Sequence, residues 1–141
     1  MILDTTYLLP LLGIRIREDL FSAIVSGRIQ LKLKDIRLSS ISLFEIQAKA
    51  AKLRIPPSKV VRAINTLKKS FEVISFTRRG VIEVAHELRG FINDYVDCVI
   101  IATAVDLGDP LVTEDSLIHS AKRDLEDKYK LHIFSYRDLT S

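Results

Sequence analysis

Cysteine is nearly absent from this 141-residue sequence. Cys98 stands alone in an apolar run, so no disulfide can close within the chain, and a small buried hydrophobe in a reducing compartment is expected. Long apolar runs are missing too. The longest, residues 7–14 and 98–105, fall well short of the roughly 20 residues a membrane-crossing helix needs. The start Met1-Ile2-Leu3-Asp4 carries no basic leader and meets an acid at once, unlike a secretory signal, so a cytoplasmic location is expected. The five glycines are scattered and form neither a Gly-x-x-x-x-Gly-Lys phosphate loop nor a dinucleotide fingerprint, which removes P-loop ATPases and Rossmann oxidoreductases. His86, His119 and His132 are equally dispersed, none beside a serine or cysteine motif, so metal-free nucleophilic catalysis fits poorly. An Asp-x-Asp phosphotransferase would need an acid at Thr6, and a signalling receiver would want an aspartate where Ser75-Phe76-Thr77 stands.

What is present suits one globular domain spanning residues 1–141. Hydrophobic residues make up 48% and charged residues 28%, enough for a core and for a surface to cover it. Net charge is only +3, but residues 1–70 hold 13 Lys/Arg against 5 Asp/Glu, whereas residues 71–141 hold 8 against 13. A basic half suits a polyanionic partner, although solvated helix faces account for many such residues.

Apolar periodicity alternates between strand and helix along the whole chain. Residues 1–3, 36–41, 71–76, 111–113 and 131–136 are predicted strands, and residues 18–25, 43–53, 79–89, 96–107 and 116–129 are predicted helices. A further helix follows Pro56-Pro57-Ser58, with Val60, Val61, Ile64 and Leu67 on one face. Helical connectors of this length favour parallel strands, giving a three-layer α/β/α sandwich around a roughly five-stranded sheet.

In such a sheet the reactive crevice lies beyond the carboxyl ends of the strands. Four acids fall there: Asp4 closing the first strand, Glu45 and Asp97 in the first turns of predicted helices, and Asp115 after the 111–113 strand. Each has a structural explanation of its own. Ser42-Leu43-Phe44-Glu45 fits a capping box, Asp94-Tyr95-Val96-Asp97 has the same form, Asp115 suits an N-cap, and Asp4 suits a turn. Together, however, four carboxylates at one sheet edge repel one another, and helix N-termini, raised pKa values or a bound cation must answer that repulsion. All-oxygen ligands suit Mg²⁺ or Mn²⁺ rather than zinc, and such ions lower the pKa of a bound water and stabilise a phosphodiester leaving oxygen.

The sequence resembles the PIN-domain nucleases, in particular the VapC-type toxin ribonucleases of toxin–antitoxin pairs. The resemblance covers nearly the whole chain through Ile2-Leu3-Asp4-Thr5-Thr6, Ser42-Leu43-Phe44-Glu45-Ile46, the run from Asp97 to Ala104, and Gly108-Asp109-Pro110-Leu111-Val112-Thr113-Glu114-Asp115. It implies a divalent-metal-dependent endoribonuclease, with metal bound by Asp4, Glu45, Asp97 and Asp115 and hydroxyls supplied by Thr113 and Thr6. It also implies a homodimer and a small antitoxin partner. Helices at residues 43–53 or 60–67 are candidate dimer faces. Two features depart from the pattern. Glu114 adds a carboxylate that either competes or points to solvent, and Asp94 lies one turn before Asp97, close enough to exchange roles with it. Lys49, Lys52, Arg54, Arg78 and Arg79 are candidates for screening RNA phosphates. The rival reading is a non-catalytic PIN-like module that binds RNA or a protein.

Overall fold

The computed structural model describes residues 1–140. Five parallel strands form one sheet in the order β3-β2-β1-β4-β5, with β1 at Ile2–Leu3, β2 at Arg37–Ser39, β3 at Glu72–Ile74, β4 at Leu111–Val112 and β5 at Ile133–Phe134. The helices are α1 Leu20–Val25, α2 Ser40–Lys52, α3 Pro57–Ser70, α4 Arg79–Leu88, α5 Tyr95–Leu107, α6 Ser116–Ser120, α7 Lys122–Tyr129 and α8 Tyr136–Thr140. Among the described residues no helix is long and apolar enough to cross a membrane.

The two-residue side-chain period of the strands divides the core. Ile2 and Leu111 point to the face covered by α4, α5 and α7, with Val81, Leu88, Ile101 and Leu125. Leu3 and Val112 point to the opposite face, covered by α1, α2 and α3 and by a 3₁₀ segment at Thr5–Leu12, with Tyr7, Leu20, Ile46 and Leu67. Seven consecutive residues of α5, Cys98 to Ala104, are buried, so this helix is apolar all round and sits inside the molecule. The expected three-layer sandwich is therefore the observed one. Cys98 is fully buried, as expected of a small hydrophobe.

Three local expectations need correction. Helix α2 begins at Ser40, three residues before the expected start, with Ser39 as its cap accepting from the Ile41 amide at 3.2 Å. Ser42 is thus inside the helix and fully buried, and Glu45 belongs to the second turn, so the expected capping box does not form. The helix expected over residues 116–129 is two, α6 and α7, separated at Ala121. The final helix, α8, has no counterpart among the helices expected from periodicity.

Chain order places the crevice. From β1 the chain winds outward through β2 to β3, then crosses back to β4 and β5 on the other side, so the winding reverses between β1 and β4. A parallel sheet opens a cleft at such a reversal, outside the carboxyl ends of its strands. Asp4 follows β1 there, and Thr113 to Asp115 follow β4.

Candidate active site

Asp4, Glu45, Asp97 and Asp115, drawn from four separate segments, line one open cleft of about 560 Å³ together with Asp94, Thr5, Thr6, Phe44, Lys49 and Lys52. Each acid is set in place by its local backbone. Asp4 caps the 3₁₀ segment, its Oδ1 accepting from the Thr5 amide at 2.7 Å, while its Oδ2 accepts from the Thr113 hydroxyl at 2.6 Å. Asp115 caps α6 through Oδ1, which accepts from the Leu117 and Ile118 amides at 2.8 and 3.0 Å. Asp94 caps α5 through Oδ1, accepting from the Val96 and Asp97 amides. Asp97 does not reach back to close a capping box; it occupies the first turn of α5 and faces the cleft. Capping therefore uses one carboxylate oxygen each of Asp94 and Asp115, and both residues also line the cleft. Structural role and site role coexist in the same residue.

Thr5, given no role from the sequence, and Ser42, expected only as a cap, complete the frame. Thr5 Oγ1 stands 2.5 Å from Glu45 Oε1 and 2.9 Å from Ser42 Oγ. Its single proton goes to the carboxylate, the stronger acceptor, which leaves the buried Ser42 hydroxyl to donate to Thr5. Thr5 thus ties the first segment to α2 and fixes Glu45. The available signal was a hydroxyl next to Asp4 and a serine three residues before Glu45 on the same helix face. Thr6, by contrast, is exposed at the cleft wall.

A family model described as PIN domain matches residues 1–124. The chain belongs to the PIN domain family. Members of that family are generally nucleases and typically use divalent metals. Among solved structures, this PIN domain is similar to FitAcB from Neisseria gonorrhoeae, with 21% identity, a TM-score of 0.67, and coverage of 98% of this chain and 99% of that one. It is also similar to a toxin–antitoxin complex from Klebsiella pneumoniae, at 22% identity, TM-score 0.61, and 82% and 86% coverage. VapBC2 from Rickettsia felis, bound to a promoter DNA fragment, shows 18% identity, TM-score 0.62, and 95% and 96% coverage. At these identities the likeness is one of fold. No curated protein matches the sequence.

The electrostatics of the PIN site follow from burial and like charge. Asp97 is pushed up to about 7, first by burial and then by Asp94, Asp4, Asp115 and Glu45 around it. Burial also raises Asp4, against the hydrogen bonds from Thr113 and Thr5, and raises Glu45, against the bond from Thr5. Among the described residues, no lysine or arginine forms an ion pair with any of the four acids. Nor, among those residues, do three acids converge tightly enough to clasp an ion as they stand. They form instead a wall of hard oxygen donors with no ion-paired cation, a set that fits Mg²⁺ or Mn²⁺ and not a soft metal.

The other sequence candidates separate cleanly. Lys49 and Lys52 line the cleft. Arg78 is paired with Asp106 at 2.9 Å and Arg79 with Glu83 at 2.7 Å, and neither they nor Arg54 line it. His119 Nε2 lies 2.7 Å from the Thr113 carbonyl oxygen and so carries the proton, a structural role. Glu114 neither competes for the cleft nor points to solvent. Its Oε2 accepts from the Tyr7 hydroxyl and, at 2.7 Å, from the Tyr136 amide, which binds the β4 exit to the 3₁₀ segment and to α8. Tyr7 is fully buried, and its hydroxyl is held protonated by that burial and by Glu114. Tyr7→Phe is expected to lower stability by about 1–3 kcal/mol, because Glu114 loses one of its two donors in a partly buried place. Urea unfolding of the variant checks this, and an unchanged midpoint would show that water replaces the phenol without cost.

Proposed function

We propose that this PIN domain is a divalent-metal-dependent endoribonuclease hydrolysing RNA phosphodiesters, the toxin of a VapBC-type pair, with Mg²⁺ or Mn²⁺ held by Asp4, Glu45, Asp97 and Asp115. The observation that carries the reading is the gathering of these four carboxylates in one cleft without a paired cation among the described residues. Caps and turns alone would be served by acids scattered over the surface. A bound ion of this kind supplies a water of lowered pKa and stabilises charge on a leaving oxygen.

The chain's own residues do the rest. Thr113 and Thr5 hold Asp4 and Glu45 so that the acids present fixed oxygens, and Thr113 also receives the Asp115 amide at 3.0 Å, joining two acids through one hydroxyl. The dipole at the start of α5 offsets only part of the burial and like charge that raise Asp97. Lys49 and Lys52, free of ion pairs among the described residues, offset phosphate repulsion at the mouth of the cleft. The likeness to proteins solved as toxin–antitoxin complexes supports a small antitoxin as partner, and the proposal includes self-association as a homodimer.

The test is cleavage of mixed RNAs by the purified protein with Mg²⁺ or Mn²⁺, with EDTA and Asp4→Asn as controls. Cleavage that EDTA stops and Asp4→Asn lowers by about 100-fold or more is the expected result. Metal-independent cleavage, or an unaffected variant, overturns the mechanism. RNA binding without cleavage favours a non-catalytic binding module.

A further inference from the structure

We propose that Phe44 is a stacking platform for a nucleobase beside the scissile phosphate, and that Lys49 and Lys52 hold the flanking phosphates, so that single-stranded RNA crosses the α2 wall of the cleft. The proposal rests on the ribonuclease reading and extends it to how the substrate is held.

Helix α2 buries Ser42, Ile46 and Ala50, whereas Phe44 is 61% exposed although it is a large apolar residue. Its exposure is not scattered surface hydrophobicity, because it lines the acidic cleft directly beside Glu45. Phe44, Ala48 and Lys52 follow at four-residue intervals along one ridge, and Glu45 and Lys49 lie on the ridge next to it; all five line the cleft. Ala48, one turn on, is small and exposed. With a rise of about 1.5 Å per residue, Lys49 and Lys52 lie about 7.5 and 12 Å along the axis from Phe44, within reach of successive phosphates on flexible side chains.

Charge decides the class of occupant. Glu45 precedes Lys49 by four residues, a spacing that favours a helical ion pair, yet among the described residues neither lysine is paired. Two cations without ion pairs and an exposed aromatic ring, lining one cleft with the carboxylates, combine electrostatic attachment of a backbone with stacking of its bases. A polyanion needs those cations, because the acidic cleft alone repels phosphate. An apolar protein segment has no use for them.

The test is anisotropy of a short fluorescent single-stranded RNA on the full chain in EDTA, paralleled by Mg²⁺-dependent cleavage of the same RNA. Phe44→Ala and Phe44→Leu should each weaken binding and raise KM by about tenfold, while Phe44→Tyr and Phe44→Trp stay near wild type and kcat is nearly constant. Lys49→Gln/Lys52→Gln should weaken binding at low salt and flatten its salt dependence, by about 0.7 in slope for each phosphate no longer held. If Phe44→Leu binds as well as wild type, the ring does not stack and the proposal falls, with docking of an apolar protein segment as the alternative. RNA binding that depends on Phe44 without any cleavage would sink the nuclease reading and leave the platform. Cleavage indifferent to Phe44 would do the reverse, and absence of both overturns both.

Discussion

Replacing Asp97 by Asn is expected to make the metal-free protein more stable while lowering the proposed Mg²⁺-dependent RNA cleavage by about 100-fold or more. The two effects share one cause. In the folded protein the Asp97 carboxyl ionises only near 7, against an ordinary 3.8, because burial and the neighbouring Asp94, Asp4, Asp115 and Glu45 all oppose its charge. Above pH 7 the folded state carries that unfavourable charge in full, and asparagine, equal in shape, removes it. That gap would correspond to about 4 kcal/mol in a dry site, and solvent at the rim reduces it to about 1–2 kcal/mol. A rise in Tm of about 3–8 °C at pH 8 follows for a domain of this size.

The pH dependence has a definite sign. As pH falls from 7 toward 3.8 the folded wild-type protein takes up a proton that the unfolded chain does not, so wild type gains stability and its deficit against Asp97→Asn closes. Below about 4 both states are protonated and the two proteins should unfold alike in this respect. Thermal unfolding at pH 5 and pH 8, with and without Mg²⁺, checks the whole set. Mg²⁺ should raise the Tm of wild type by binding the native state and leave the variant nearly unmoved. A variant less stable than wild type at pH 8 would show that Asp97 is held by favourable contacts, and the cation-site reading would lose its electrostatic support.

The acids were legible in the sequence because each ends an apolar run. Ile2-Leu3 stops at Asp4, Leu111-Val112-Thr113 stops before Asp115, and the apolar helix begins after Asp97, so carboxylates and core were separated by the pattern itself. Glu45 was found for a less secure reason. Ser42-x-x-Glu45 has the local form of a cap, but Ser39 has the same capping chemistry, and the choice between them is made by tertiary burial of Ser42 against Thr5, 37 residues away. The break at Ala121 was hidden because Ile118 and Leu125, seven residues apart, both reach the core and continue the helical period across an interrupted backbone. The bond from Tyr7 to Glu114 spans 107 residues, so no local rule could assign Glu114 its partners. Helix α8 is five residues long and fully buries none of them, which leaves little periodicity to read. Local order therefore revealed which groups carry charge, and long-range hydroxyl contacts determined how those groups are aimed.

That division makes Thr113→Val the sharpest test of aim without loss of any acid. Thr113 is fully buried; its hydroxyl donates to Asp4 Oδ2 and accepts from the Asp115 amide, so one oxygen joins the residues that follow β1 and β4. Valine keeps the shape and removes both bonds. The Asp115 amide and an Asp4 oxygen then lose partners in a largely buried place, at a cost of about 1–3 kcal/mol. The Thr113 bond is also the strongest influence lowering the Asp4 carboxyl against burial, so its loss should raise Asp4 further. Because a carboxyl must be ionised to hold a cation, the acid limb of the pH–activity profile should move to higher pH. Cleavage at neutral pH should fall by about 10–100-fold, the range seen when the hydrogen-bond partner of a metal ligand is removed. Thr113→Ser restores the hydroxyl and should recover the wild-type profile, apart from the loss of one buried methyl. Were valine and serine to shift stability alike and leave the acid limb in place, Thr113 would be a packing residue, and Asp4 would owe its orientation to the Thr5 amide alone.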